Sequence, residues 1–139
     1  MPENMAGARK LSFVLWLCAT LALAGLILWL SLIRVPRFAG LEINDKVEHF
    51  LAYTALGVSV CSVISRAFVR LPRRYAVLAG ICIAALYGIS LEFAQALFTS
   101  DRECSVFDMI VDLLGGAAGS GLWAAAGPMF VQIRIWRRA

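Results

Sequence analysis

The residues of this chain that could do chemistry are carboxylates, a histidine and a tyrosine set into otherwise apolar sequence. His49, Tyr53, Glu92, Asp108 and Asp112 each lie near one end of a long apolar run. Ionisable groups inside a membrane span are costly, so they are functional candidates by default. Two or three carboxylates and an imidazole on converging helices could hold a divalent cation. Because like charges this close repel, we expect a metal ion, a cationic ligand group or a bound proton among them.

Four apolar stretches carry these residues, and each has about the ~20 residues that a helix needs to cross a ~30 Å hydrocarbon layer. The stretches are 11–33, 47–65, 75–98 and 106–127. A chain of 139 residues that is 61% hydrophobic and 16% charged has too little polar surface for a soluble globule. The sequence therefore predicts an all-α, polytopic four-helix membrane bundle. Its expected parts are a cytoplasmic tail (1–10), the transmembrane domain (11–127) and a basic interfacial tail (128–139).

The charges predict how this bundle lies in the membrane. Most lysines and arginines fall in the terminal segments and in the loop 66–74, whereas the acids other than Glu3 fall in the other loops or the helix ends beside them. The positive-inside rule then places both termini in the cytoplasm of an inner membrane. The net charge of +4 thus reflects basic residues beside anionic lipid and not a nucleic-acid site.

The first stretch continues past a signal-peptide-like triplet at 22–24, which favours an uncleaved span.

A four-residue spacing joins the polar ends of three spans to small residues deeper in the same spans. The series are Asp45, His49, Tyr53, Gly57, Cys61, Ser65; Ala76, Gly80, Ala84, Gly88, Glu92; and Asp108, Asp112, Gly116, Ser120, Ala124. Residues four apart share a helix face, and small residues let helices approach closely in lipid. We expect a bundle packed tightly in its cytoplasmic half and open outside as a polar cup, with the first span at the periphery. Pro128 is expected to end or kink the fourth span.

Several ordered blocks in this region are similar to a known family. They are Asp45-Lys46-x-x-His49-Phe50-x-x-Tyr53, Glu92-x-x-Gln95, Phe98-x3-Arg102-x2-Ser105-x2-Asp108 and Gly115-x3-Gly119. Together they resemble the VanZ-like integral membrane proteins, named after a protein linked to low-level teicoplanin resistance. The biochemical activity of that family is not established. This chain departs from the pattern at Asp112, where the family usually has Asn, and the departure adds a charge to the cup.

The predicted ligand-binding residues combine the polar positions of these blocks with the extra aspartate. They are Asp45, Lys46, His49, Tyr53, Glu92, Gln95, Arg102, Asp108 and Asp112. Either His49 or Glu92 is a candidate general base, and Arg102 is a candidate to hold a phosphate. The metal candidates are His49, Glu92, Asp108 and Asp112.

Structural roles compete with these assignments. Glu92 could be protonated and bonded to a neighbouring helix. Ser105 with Asp108 fits a capping box at the start of the fourth span. For Gly115 and Gly119, helix packing is favoured over ligand contact. Asp45 lies one turn before His49, so its carboxylate is a candidate to orient the imidazole.

Two functions of different class follow. The first is binding, with or without a reaction, of an amphiphilic envelope molecule such as a lipid-linked precursor or a glycopeptide antibiotic. The second is a non-catalytic subunit that docks through its glycine faces onto another copy or a larger envelope complex. Whether the protein is an enzyme stays open. The sequence contains no P-loop and no paired-histidine metal motif that would indicate a particular reaction.

Overall fold

The computed structural model describes residues 2–33, 45–99 and 104–136, with side chains at 7–33, 45–99 and 104–126. The described chain forms four α-helices, in the order α1 (Pro2–Leu32), α2 (Asp45–Ala67), α3 (Arg73–Phe98) and α4 (Val106–Trp136). Each contains a segment long and apolar enough to cross a membrane. The prediction of an all-α chain with four candidate spans is confirmed.

The ends of the helices follow from local sequence. Asp45 and Glu48 lie in the first turn of α2 and Arg66 in its last turn, where each charge complements the helix dipole. Pro72 precedes α3 at a position where its missing N–H would have no intrahelical partner. The helix ends where Thr99 adopts an extended backbone.

Two helices extend by more than two turns beyond the predicted spans. α1 begins at Pro2, upstream of the expected start at residue 11, and proline suits the first helical position because its fixed φ is preorganised for a helix. α4 continues through Pro128 to Trp136, so Pro128 does not end the helix. Transmembrane helices tolerate proline where local adjustments satisfy the carbonyl group that it leaves unbonded.

Helices α2, α3 and α4 form the core of the bundle, and α1 lies outside it. α4 packs against both α2 and α3, whereas α1 contacts α2 and α3 but not α4 within the described ranges. Among the α1 residues whose side chains are described, Ile27 alone is buried. The first span is therefore peripheral, as its lack of ionisable groups predicted.

Glycines allow the three core helices to pack closely against one another. We call the set Gly57, Gly80, Gly115, Gly116 and Gly119 the glycine seam. A methyl group on Gly57 would lie 2.6 Å from the carbonyl oxygen of Gly116, and one on Gly119 would overlap the carbonyl oxygen of Thr54. Lipid offers no hydrophobic drive for helix association, so this close backbone packing supplies much of the attraction between helices. The packing role favoured for Gly115 and Gly119 is the one the structure shows.

Candidate functional site

Buried polar side chains collect at the end of the bundle where α2 and α4 begin and α3 ends. We call this the polar end. His49 and Tyr53 from α2, Glu92 and Gln95 from α3, and Asp112 from α4 form what we call the polar cluster. All except His49 are buried. The four-residue spacing places His49, Tyr53, Glu92 and Asp112 on helix faces that also carry small residues, and Gln95 lies three residues after Glu92.

A hydrogen bond between side chains joins α2 to α4 in this cluster. Nδ1 of His49 lies 2.9 Å from Oδ1 of Asp112, the distance at which an imidazole N–H donates to a carboxylate. The Asp112 side chain is 1% exposed and that of His49 is 15% exposed. Asp112 thus orients the ring, whereas Asp45, the partner suggested by sequence spacing, lies exposed on the surface.

A row of aromatic rings leads from His49 towards α1. The rings of His49 and Tyr53 are stacked, with centroids 6.3 Å apart and an interplanar angle of 12°. Tyr87 of α3 lies next in the row, 6.5 Å from Tyr53. Its hydroxyl donates a 2.6 Å hydrogen bond to the carbonyl oxygen of Ala24 in α1. The row therefore connects the histidine to the peripheral helix.

Glu92 connects the end of α3 to the start of α4. Its Oε2 accepts a hydrogen bond from the backbone N–H of Ser105 at 2.8 Å. The Ser105 hydroxyl in turn accepts one from the N–H of Asp108 at 3.2 Å. The predicted capping box is therefore half right, because Ser105 is the cap but the reciprocal bond to its N–H comes from another helix. Glu92 thus bonds the residue just before a neighbouring helix, whereas the protonation in its structural alternative stays a prediction.

Gly88 makes room for Asp112. A methyl group at position 88 would lie 2.5 Å from Oδ2 of Asp112 and 2.8 Å from its Cβ. Among real Cβ atoms such distances are essentially never seen, so any side chain here would displace the aspartate. The sequence analysis placed Gly88 in a packing stripe and missed this role. The available signal was its position one turn before Glu92 on the same face of α3.

The polar cluster contains buried polar atoms that lack a hydrogen-bond partner. Oδ2 of Asp112 and Nε2 of Gln95 have no hydrogen-bond partner in the described chain, although the two residues are only 1% and 4% exposed. A buried carboxylate without full compensation is costly, so a further group in the cluster would stabilise it.

Three residues of the cluster could hold a metal ion. His49, Glu92 and Asp112 each offer a donor atom, and these atoms all lie within 4.8 Å of one another. Asp108, the fourth metal candidate, does not belong to this group. It sits half-buried in the first turn of α4, where its carboxylate complements the helix dipole.

The remaining predicted site residues lie away from the cluster. Asp45 and Lys46 are exposed, and the Lys46 ammonium lies 5.2 Å from the ring centroid of Phe107 in a cation–π contact. Arg102 lies outside the described residues. The structure therefore brings together five of the predicted positions and leaves Asp45, Lys46 and Asp108 at the margin.

A groove of about 290 Å³ runs between α1 and α2 beside the cluster. It is lined by Ile27, Leu30 and Ser31 of α1 and by Asp45, Glu48, His49, Ala52 and Tyr53 of α2. Its α1 wall is mainly apolar and its α2 wall is acidic. The predicted open cup is thus replaced by a buried cluster that meets the groove through His49 and Tyr53. Sequence analysis did not single out Glu48 as part of this surface.

The VanZ/LLP1 family model matches residues 15–127, a range that contains the polar cluster, the glycine seam and the whole groove lining. No curated protein and no solved structure matches the chain.

Proposed function

Because the chain belongs to the VanZ/LLP1 family of membrane proteins, we propose that its polar end binds an amphiphilic molecule of the cell envelope. A lipid-linked cell-wall precursor or a lipoglycopeptide antibiotic has the required chemistry. The observation that carries this proposal is the groove between α1 and α2, which combines an apolar wall with an acidic one. Few precisely placed polar groups in an apolar setting are typical of small-molecule sites.

The two walls suit the two parts of an amphiphile. Ile27 and Leu30 offer an apolar surface continuous with the lipid-facing side of α1, where Leu26 and Trp29 are exposed. An acyl or polyprenyl chain would be stabilised there by contact and burial. Asp45 and Glu48 face the groove from the first turn of α2 and would accept hydrogen bonds from sugar hydroxyls or amines.

His49 is the member of the polar cluster best placed to meet the ligand. Its Nδ1 is bonded to Asp112, and Nε2 has no hydrogen-bond partner in the described part of the chain. If a reaction accompanies binding, His49 would be the general base, because Glu92 is buried and already bonded to Ser105. Asp112 would then be the positioning residue that sets the tautomer of the ring.

We infer that the polar end faces the exterior and that both termini are cytoplasmic. Arg66, Arg70, Arg73 and Arg74 cluster at the opposite end of the bundle, which the positive-inside rule places in the cytoplasm. Cys104, exposed beside the polar end, tests the orientation. A membrane-impermeant thiol reagent should label it in intact cells, with Cys104→Ser as the control. Labelling that requires lysis would show the reverse orientation.

The alternative, docking of a non-catalytic subunit through glycine faces, has less support. The seam glycines pack against residues of the same chain, such as Phe50, Thr54 and Ala84. They are therefore buried within the bundle and do not offer a docking face. Gly25 on α1 does lie open, because a methyl group added there would meet nothing within 4 Å.

The test of ligand binding is to fill the groove and compare a matched change outside it. Ala52 lines the groove, whereas Ala55 is exposed on α2 away from it. In nanodiscs, Ala52→Phe should weaken binding of a labelled undecaprenyl-linked precursor by at least ~10-fold, since losing a single good contact of about 1.4 kcal/mol already costs that much. Ala55→Phe should bind as the unaltered chain does. Equal affinities for the two variants would contradict the proposal.

A further inference from the structure

We infer that the polar cluster binds one divalent transition-metal ion through His49, Glu92 and Asp112. We infer further that this ion lets an anionic head group approach an acidic groove. The first statement stands on the geometry of the cluster alone, whereas the second rests on the proposed function.

The distances in the cluster suit a shared ion. Ligand atoms bound at ~2.0–2.2 Å from one ion lie roughly 3 Å apart when adjacent and about 4 Å apart when opposite. Nδ1 of His49 and Oδ1 of Asp112 are 2.9 Å apart, a separation that fits two adjacent ligands as well as a hydrogen bond. All three donor atoms lie within 4.8 Å of one another, close to the span of a single coordination sphere.

The buried Oδ2 of Asp112 is independent evidence for a missing partner. It has no hydrogen-bond partner in the described chain, and its residue is 1% exposed. Protonation would neutralise one carboxyl group and leave the other charged. A doubly charged ion would balance the charges of Glu92 and Asp112 together.

The donor types narrow the choice of ion. One imidazole nitrogen and two carboxylate oxygens suit Zn²⁺ or Mn²⁺, whereas Ca²⁺ and Mg²⁺ prefer oxygen ligands alone. Three protein ligands also leave coordination positions for water or for a ligand oxygen.

Groups next to the three candidate ligands fix the orientation of their side chains. Around known metal sites, the residues that contact the ligands do the same. The Ser105 N–H donates a hydrogen bond to Oε2 of Glu92, which leaves Oε1 of the same carboxylate available to bind a metal ion. Tyr53 stacks on the ring of His49. Gly88 leaves the space that the Asp112 side chain occupies. Each ligand is therefore oriented before an ion arrives.

An ion would remove an electrostatic conflict in the proposed function. The lipid-linked precursors named above carry phosphate, and Asp45 and Glu48 on the groove wall would repel it. An open coordination position on such an ion would bind a phosphate oxygen directly. That bond would offset the repulsion between the phosphate and the carboxylates of Asp45 and Glu48.

The first experiment measures metal content without any amphiphile present. The full chain in nanodiscs, carrying Cys104→Ser to limit binding by an exposed thiol, is stripped with chelator, incubated with Zn²⁺ or Mn²⁺ and desalted. Mass spectrometry should find about one ion per chain. Asp112→Asn and Glu92→Gln should each weaken binding at least ~10-fold, the effect that loss of even an outer-shell partner produces. The matched changes Asp45→Asn and Glu48→Gln, which lie outside the three-residue group, should retain the ion.

Two results would overturn the inference. One is an unaltered chain that binds neither Zn²⁺ nor Mn²⁺ above the level of His49→Ala. The other is equal metal content in Asp112→Asn, Glu92→Gln and their matched controls. Circular dichroism and size-exclusion profiles show whether each variant is folded, and His49→Ala provides a third ligand deletion if one carboxylate variant misfolds.

A second arm separates this inference from the proposed function. Binding of the labelled precursor is compared for metal-loaded and chelator-treated protein. Metal-dependent binding supports both statements. Binding that is unchanged by chelation keeps the proposed function and overturns the bridging ion. A loaded metal site with no precursor binding keeps the ion and removes the proposed ligand.

Discussion

Helices α4 and α1 are both long and apolar, yet they are held in the bundle by different means. α4 meets α2 backbone to backbone through the glycine seam, whereas the packed face of α1 makes side-chain contacts. Gly119 on α4 lies against the backbone of Thr54, while Gly25 on α1 has nothing within 4 Å of a methyl position. In lipid, where leucine gains little by leaving the acyl chains, only the first arrangement fixes a helix closely.

Specific polar contacts attach α1 to the bundle at two places along its length. Tyr87 donates a hydrogen bond to the carbonyl of Ala24 at 2.6 Å. At the other end, the guanidinium of Arg66 donates to the hydroxyl of Ser12 at 2.9 Å and lies 5.0 Å from the ring centroid of Trp16. The helices that carry the polar cluster are therefore the closely packed ones, and α1 forms one wall of the groove.

The strongest test of this difference is a methyl group added to each helix. Gly119→Ala should destabilise the fold by about 3 kcal/mol or more, because its Cβ would overlap backbone that cannot rotate away. Gly25→Ala should be neutral or stabilising by up to about 1 kcal/mol, since alanine favours helix and the site is open. Reversible unfolding in mixed micelles measures both. Equal effects would mean that α1 is packed as closely as α4.

A smaller effect is expected at the contact between α3 and the aspartate. Gly88→Ala should destabilise the fold by about 2 kcal/mol, because the Asp112 side chain must move away from the new methyl group. The same variant should lose metal binding if the inferred site exists. Gly121→Ala, where a methyl group would meet nothing within 4 Å, is the matched control. If Gly88→Ala changed neither stability nor metal binding, the Asp112 side chain would have a second conformation that avoids the methyl group.

The pair joining α2 to α4 can be measured by a double-mutant cycle. His49→Ala and Asp112→Asn should show a coupling energy of about 1 to 2 kcal/mol, as residues bonded to each other are not additive. The pair Asp45→Asn and His49→Ala should be additive to within about 0.5 kcal/mol, because Asp45 is exposed and the ring pairs elsewhere. Coupling to Asp45 in place of Asp112 would restore the interpretation drawn from spacing.

The smallest effect is expected for the attachment of α1. Tyr87→Phe should cost about 0.6 kcal/mol, the average for an interhelical hydrogen bond in lipid. Ser90→Ala on the same helix removes a bond to Leu86 within α3 and serves as the control. Faster hydrogen exchange confined to α1 in Tyr87→Phe would support its role as a loosely held wall. A uniform change across the bundle would argue against it.

Much of the fold could be predicted from sequence, because each span is visible in its own residues. The predicted 47–65 lies within Asp45–Ala67, and 75–98 lies within Arg73–Phe98. The continuation of α4 past Pro128 could not be predicted from sequence. Proline generally breaks or kinks a helix, and its tolerance here depends on surroundings that the local sequence does not show.

Five of the predicted site residues come together in the structure, but which of them pair with each other could not be predicted. Period-four spacing selects the face that carries His49 and the face that carries Asp112, but it does not say how one helix is rotated against the next. Local spacing therefore suggested Asp45 for the imidazole and Asp108 for the N–H of Ser105. In the structure both partners come from other helices, namely Asp112 and Glu92. Arg102, the candidate phosphate ligand, lies outside the described residues, and its role remains a prediction.

The close approach of Gly88 to Asp112 has an evolutionary consequence. A side chain at position 88 and an aspartate at position 112 cannot occupy the same volume, so the two positions should change together across related sequences. Relatives that carry alanine or serine at the first position are expected to carry a smaller or differently directed residue at the second. Such covariation between the two positions would show from sequences alone that α3 lies close to α4 at this point.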